Sequence, residues 1–115
     1  MNILVRGINL KISEAFTNYA ESRARAALKH AANRITHVEI RVGDTNGPRG
    51  GIDINAWILA VLTHGGSIVV EVAAPDAYAA VDRAVARLAG RMQRHVGRLR
   101  AASLVHVDGA RPRFT

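Results

Sequence analysis

Apolar and polar residues alternate along several short stretches of this chain, which is the pattern of β-strands with one buried face. The clearest stretch is THVEIRV at residues 36–42, where Val38, Ile40 and Val42 alternate with polar residues. Two other strand candidates are NILVR at residues 2–6 and SIVVEVA at residues 67–73. The pattern therefore predicts at least three strands, each with one face turned toward a core.

A fourth stretch, GGIDINAWILAVL at residues 50–62, has two apolar rows rather than one. The first row is Ile52, Ile54, Ala56, Ile58, Ala60 and Leu62. The second row begins with Asp53 and Asn55 and continues with Trp57, Leu59 and Val61. Turn-forming residues flank this strand, at GDTNGPRGG before it and THGG after it. A strand of this kind needs something to cover its second face.

Two longer segments have helical periodicity. The first begins at the N-cap candidate Ser13 and runs to about Ala31, with an apolar face of Phe16, Tyr19, Ala20, Ala24, Ala27 and Leu28. The second begins after the N-cap candidate Asp76 and runs to about Leu99, with an apolar stripe of Val81, Val85, Leu88, Met92, Val96 and Leu99.

The resulting order, β-α-β-β-β-α, predicts an α+β fold in two layers, a four-stranded sheet with both helices on one face. The other sheet face is then open. At 115 residues the chain is long enough for one domain, which we place at residues 1–100. Residues 101–115 have little periodicity and are predicted to form a basic, mostly flexible tail.

Positive charge is concentrated in the last third of the chain, which has a net charge of +7. Residues 1–82 hold eight basic and eight acidic residues, whereas residues 83–115 hold eight arginines and only Asp108 as an acid. A basic segment on a neutral domain favours a polyanionic partner, either a nucleic acid or an acidic membrane surface.

On the second helix the arginines form one row opposite the apolar stripe, about 22 Å long at the rise of an α-helix. The row is Arg83, Arg87, Arg91, Arg94 and Arg98. Gly90 and Gly97 lie on the same row, where a missing side chain would let a phosphate backbone approach. The alternative is a solvated face in an arginine-rich protein, since the chain has fourteen Arg and two Lys. That bias does not explain why the row lacks acidic residues.

Further cations lie near the end of the first helix, at Arg23, Arg25 and Lys29. Their position also suits the helix dipole, so a purely structural role is an equal alternative to phosphate binding. Arg49, in the loop between the second and third strands, is either a phosphate contact or a charged turn residue.

Two motifs resemble the short ribosome hibernation-promoting factors, a family of ribosome-associated inhibitors also known as sigma-factor modulation proteins. They are DAYAAVD at residues 76–82, opening a basic helix, and the loop GDTNGPRGGID before the third strand. The resemblance covers roughly residues 2–99.

This resemblance implies a fold related to double-stranded RNA-binding domains and a protein without enzymatic activity. It implies a partner, the small ribosomal subunit, whose decoding channel such proteins occupy in resting cells. The residues that would contact ribosomal RNA are Arg23, Arg25, Lys29, Arg83, Arg87, Arg91 and Arg94. We expect no second domain of the kind that the long form has, so the resemblance is to the short form. It also departs from the family on the third strand, where Asn55, Trp57, Leu59 and Val61 replace outward basic residues.

The residues indicate no catalytic, metal or cofactor site. There is no cysteine, and the five histidines are scattered without paired spacing.

We expect a cytoplasmic protein, because no apolar segment is long enough to span a membrane and the N-terminus does not have the layout of a signal peptide. Membrane-surface binding is also disfavoured, because the apolar stripe of the second helix has no Trp or Phe.

The apolar row Trp57, Leu59 and Val61, joined by Val69, leaves three hypotheses for its cover. A homodimer through the open sheet faces is preferred, the C-terminal segment around Leu104, Val105 and Val107 is the second, and another protein is the third. The alternative to a ribosome-binding function is a protein-interaction module that has kept the fold, no longer binds ribosomes and uses this face.

Overall fold

The computed structural model describes residues 1–44 and 54–107, and the side chains within 1–44 and 54–95. Its elements follow the predicted order, with a short 3₁₀ helix after the first α-helix. They are β1 (Asn2–Ile8), α1 (Glu14–Leu28), the 3₁₀ helix (Lys29–Arg34), β2 (Ile35–Gly43), β3 (Ile54–Leu62), β4 (Ser67–Ala74) and α2 (Ala77–Val107). The predicted α+β fold is confirmed.

The four strands form one sheet in the order β1-β2-β3-β4. β1 pairs with β2 in parallel, and the two later pairs are antiparallel. The β3–β4 hairpin closes through the predicted THGG turn, in which Gly65 and Gly66 have φ angles of 98° and 86°. Glycine suits both positions because it has no Cβ to clash at positive φ.

Both predicted helix caps are present. The Ser13 hydroxyl accepts a hydrogen bond from the Phe16 backbone N–H at 3.0 Å, and the Asp76 carboxylate accepts one from the Ala79 N–H at 2.9 Å. Each cap satisfies a backbone donor that has no partner inside its helix. Local sequence therefore sets where both helices begin.

The core lies between the sheet and the two helices. α2 packs over β3 and β4, and α1 packs over β1 and beside α2. The side chains of Ala56, Ile58 and Ala60 on β3 are fully buried under this helical layer. From the helices, the fully or almost fully buried residues are Phe16, Ala20, Ala24, Leu28, Val81, Val85, Leu88 and Met92. The predicted faces of both helices and of β3 are thus confirmed as far as Met92.

The end of α2 differs from the sequence prediction. The helix continues to Val107, eight residues beyond the predicted end at Leu99, and crosses the proposed domain boundary at residue 100. Leu104, Val105 and Val107 belong to this helix, so they do not fold back over the open sheet face. Gly97 does not end the helix, because one glycine costs only about 1 kcal/mol of helix propensity. The rest of the predicted tail, residues 108–115, lies outside the described residues.

Candidate nucleic-acid interface

Three arginines of α2 are hydrogen-bonded to the backbone of the edge strand β4. The Nη1 atoms of these arginines donate to carbonyl oxygens at distances of 3.0, 3.1 and 2.6 Å. The pairs are Arg83 with Ala73, Arg87 with Glu71, and Arg91 with Val69. We call this set of three bonds the arginine ladder.

The ladder follows from the repeats of the two elements. Four residues of an α-helix rise about 6 Å, and two residues of a β-strand rise about 6.6 Å. Because successive residues of an antiparallel strand direct their polar groups to opposite sides, Val69, Glu71 and Ala73 present carbonyls along one edge. α2 runs antiparallel to β4, so arginines spaced by four reach carbonyls spaced by two. The ladder also covers a sheet edge that would otherwise be open to another strand.

The ladder leaves most of each guanidinium available. A guanidinium has five N–H donors, and the carbonyl bond uses one of them. Arg83, Arg87 and Arg91 each keep part of their surface open to solvent. Each therefore combines a fixed position with free donors, which is the arrangement that bidentate phosphate binding requires. The sequence places these residues on a solvent-facing row but does not show that the backbone of β4 holds them.

Arg94 lies on the same row, without an ion pair to any residue that the structure describes. Together with Arg91 and His95 it faces the β3–β4 hairpin turn across a polar cleft. The turn side of this cleft is formed mainly by Gly65, Gly66, Ser67, Ile68 and Val69. The local sequence does not predict that the turn is part of the candidate interface, because nothing in THGG shows that α2 passes beside it.

Gly90 lies between these arginines and is not required by packing. A Cβ added there would meet only the Arg94 Nη1 atom, at 3.8 Å, which is ordinary van der Waals contact. Because glycine has no side chain, it leaves space in the middle of the arginine row. A phosphate backbone would need such space to approach the helix closely.

Arg23, by contrast, is engaged with α2. Its Nε lies 2.9 Å from Asp82 Oδ1, and the Tyr19 hydroxyl donates to the same oxygen at 2.7 Å. The hydrogen bond to Asp82 raises the pKa of the Tyr19 phenol, with smaller contributions from burial and from the carboxylate charge. Arg23 therefore ties α1 to α2, and its remaining donors are the ones open to a partner.

These contacts give the motif DAYAAVD a physical role. Asp76 caps α2, and Asp82 joins the two helices. Tyr78 packs edge-on against Phe16 and Tyr19, with ring centroids 5.1 and 4.9 Å apart. The motif therefore fixes α2 against α1, and with it the direction of the arginine row.

The other predicted cations are distributed differently. Arg25 pairs with Glu21 at 3.1 Å and also donates to the Met1 carbonyl. Lys29 is exposed at the end of α1 and has no ion pair within the described chain. Arg98 lies on α2, but its side chain is outside the described residues, as is the whole of Arg49.

The predicted partner interface lies on the opposite side of the sheet. Trp57, Leu59 and Val61 are half-buried, and Val69 beside them is 53% exposed. Glu39 on the same face accepts hydrogen bonds from Arg41 at 3.0 Å and Arg6 at 3.4 Å. The hydrogen bond from Arg41, helped by the positive charge of both arginines, lowers the pKa of Glu39.

Within the described ranges, no three His, Asp or Glu side chains are grouped so that they could hold a metal ion. Among those same residues, no helix is long and apolar enough to cross a membrane.

A family model described as "Sigma 54 modulation protein / S30EA ribosomal protein" matches residues 3–100. The chain belongs to this family. The sigma 54 modulation / S30EA family is a ribosome-associated, non-enzymatic type, in agreement with the resemblance of the two sequence motifs. No curated protein is similar enough in sequence to count as a relative.

Two solved structures share the fold of this S30EA family member. The N-terminal domain of Protein Y from Thermus thermophilus is 28% identical, with a TM-score of 0.69, over 83% of this chain and 99% of that one. A ribosomal subunit interface protein from Coxiella burnetii is 18% identical, with a TM-score of 0.73, over 84% and 99% of the two chains. The second likeness concerns the fold alone.

Proposed function

We propose that this protein is a hibernation factor that binds RNA of the small ribosomal subunit in the decoding channel and blocks translation in resting cells. The observation that carries the proposal is the arginine ladder. It holds three guanidinium groups at regular spacing, and the row of α2 to which they belong contains no acidic residue. Ribosome binding also implies that the protein works in the cytoplasm.

The proposed RNA surface consists of the α2 arginines, the cleft beside the β3–β4 turn and the cations of α1. Phosphate contacts supply most of the salt-dependent affinity of such surfaces. Arg94 and Lys29 are the least engaged with other side chains, and the ladder arginines are the best positioned. Arg23, Arg25 and Arg98 complete the proposed set of RNA contacts.

The outer face of β3 is left out of this surface. Asn55, Trp57, Leu59 and Val61 stand where the family has outward basic residues, and none of the four has a positive charge to attract a phosphate. We therefore expect fewer RNA contacts from the sheet than the family pattern implies, and a greater share from α2.

The test is binding to purified small subunits, followed by sedimentation through a sucrose gradient at low and high salt. Neutralising about five phosphates should make the slope of log K against log salt roughly −3.5 to −4.5. Replacing Arg87→Glu and Arg94→Glu together should abolish co-sedimentation while the fold is kept, because both side chains are exposed.

The matched control is Lys11→Glu, which also reverses an exposed cation but lies outside α2 and the β4 edge. It should sediment with the subunit as the wild type does. Wild-type affinity in the double variant would exclude the proposed surface, and equal losses in Arg94→Glu and Lys11→Glu would show that only net charge matters.

A second candidate function is a protein-interaction module that has kept this fold without binding ribosomes. The exposed apolar residues of the open sheet face favour it, since they carry no charge with which to attract a phosphate. The same gradient separates the two, because this module would stay at the top at every salt concentration.

A further inference from the structure

The open sheet face exposes apolar side chains at both of its margins. Leu4 on β1 is 54% exposed and Val69 on β4 is 53% exposed, with Ile8 at 38%. Between them, Trp57 and Leu59 help to line a shallow groove. An apolar surface with a tryptophan in it is typical of an interaction site.

The strand register arranges this face in rows that run across the sheet. One row reads Arg6, Arg41, Trp57, Glu71 from β1 to β4, and the next reads Leu4, Glu39, Leu59, Val69. The first row is therefore basic at the β1 side and acidic at the β4 edge, with the tryptophan between them. When two copies of this row face each other in opposite directions, the basic end of each copy lies opposite the acidic end of the other. The row is therefore complementary in charge to a second copy of itself.

We propose that a second copy of this chain docks on the open face, related by a two-fold axis that runs parallel to the strands between β2 and β3. The axis brings β1 of one copy opposite β4 of the other. Arg6 then faces Glu71 of the second copy, and Arg41 faces its Trp57, a cation–π pairing. In the next row, Leu4 faces Val69 of the second copy.

The acidic residue at the middle of the face is already neutralised within each copy. Glu39 accepts from Arg41 and from Arg6, and its side chain is only 15% exposed. It faces Leu59 of the second copy without bringing an unpaired charge into the interface. This matters because an unpaired buried charge would oppose association strongly.

The size of the face indicates a weak dimer. Four strands spaced about 4.8 Å apart and roughly 25 Å long offer about 500 Å² per copy, below the usual size of a stable interface. Association should therefore depend on protein concentration in the micromolar range and above. Both helices lie on the other side of the sheet, so the dimer leaves the arginine ladder exposed.

The experiment is sedimentation velocity from about 1 to 500 μM, because a face below the usual size of a stable interface is expected to associate weakly. The wild type should convert from monomer to dimer across this range. Trp57→Arg with Leu59→Glu should stay monomeric and remain folded by circular dichroism. A wild type that is monomeric throughout, or a dimer that survives this double change, overturns the proposal.

Charge complementation identifies the partner as a second copy. In the proposed dimer, position 6 of each copy faces position 71 of the other. Arg6→Glu alone therefore places two glutamates opposite each other, and Glu71→Arg alone places two arginines opposite each other. Both variants should remain monomeric, whereas an equimolar mixture with one chain labelled should form the heterodimer. The control Lys11→Glu should dimerise as the wild type does. A mixture that stays monomeric excludes the proposed two-fold pairing, even if the wild type dimerises.

Discussion

The Arg87 guanidinium donates from Nη1 to the backbone carbonyl of Glu71 at a distance of 3.1 Å. This bond joins the N-terminal half of α2 to the middle of the edge strand β4, and equivalent bonds lie on either side of it. A side chain that would otherwise sample many rotamers is therefore held in one direction. Preorganisation of this kind lowers the entropy lost when the same group binds a phosphate.

Arg87→Lys tests whether position matters as well as charge. Lysine keeps the positive charge but has no planar fork with which to bond the Glu71 carbonyl and a phosphate together. We expect affinity for small-subunit RNA to fall several-fold, with little change in thermal stability because the bond is exposed. Fluorescence anisotropy on an RNA fragment measures the affinity. Unchanged affinity would mean that the ladder contributes charge alone.

Gly90→Ala should move stability and RNA affinity in opposite directions. Alanine favours the helix by up to about 1 kcal/mol over glycine, and its Cβ meets nothing closer than Arg94 Nη1 at 3.8 Å. The melting temperature should therefore rise. RNA affinity should fall, because the methyl group fills the low point of the arginine row. A stabilised variant with wild-type affinity would contradict a close phosphate approach at Gly90.

Asp82→Ala should shift the titration of Tyr19. In the wild type, the hydrogen bond to Asp82 raises the phenol pKa above 10.0. The folded state therefore favours the protonated phenol, and this contribution to stability is present below pH 10 and lost as pH rises through the raised pKa. Ultraviolet difference titration should show Tyr19 ionising at lower pH in the variant. An identical titration curve would show that the hydrogen bond does not form in solution.

Glu39→Gln should reduce the loss of folding stability that occurs as the pH is lowered. The bond from Arg41 lowers the folded pKa of Glu39 below its ordinary value of 4.5. The ionised carboxylate therefore contributes stability that is complete above pH 4.5 and is lost as pH falls through the folded pKa. Urea unfolding from pH 7 to pH 3, at a concentration that keeps the protein monomeric, should show a shallower decline for the variant. Parallel declines would contradict this assignment.

Leu88→Asp should unfold the domain. Leu88 is fully buried. An aspartate there should lower the free energy of unfolding by several kcal/mol, whether its carboxylate stays charged and loses its hydration or is protonated to the neutral acid. The control is Ala86→Asp, two residues away on an exposed part of the same helix, which should fold. Circular dichroism and thermal melting measure both. A cooperative melt of Leu88→Asp near the wild-type temperature would invalidate the assignment of the buried face of α2.

Local patterns determined much of this protein without reference to tertiary structure. Alternation along the strands, the caps at Ser13 and Asp76, and the turn at Gly65 and Gly66 depend on neighbouring residues, so the sequence alone predicted the elements and their buried faces. The arginine row followed from helical periodicity in the same way. The end of α2 was less predictable, because one glycine is a weak stop signal.

Only the tertiary structure decided which distant groups meet. Arg87 reaches Glu71 because α2 runs antiparallel alongside β4, and no spacing within either element encodes that arrangement. The contact of Arg23 with Asp82 depends on how α1 lies beside α2. The row from Arg6 through Trp57 to Glu71 forms only because each of the four strands pairs with its neighbour in the correct register. Periodicity acts within one element, whereas these contacts are determined by how the elements pack against one another.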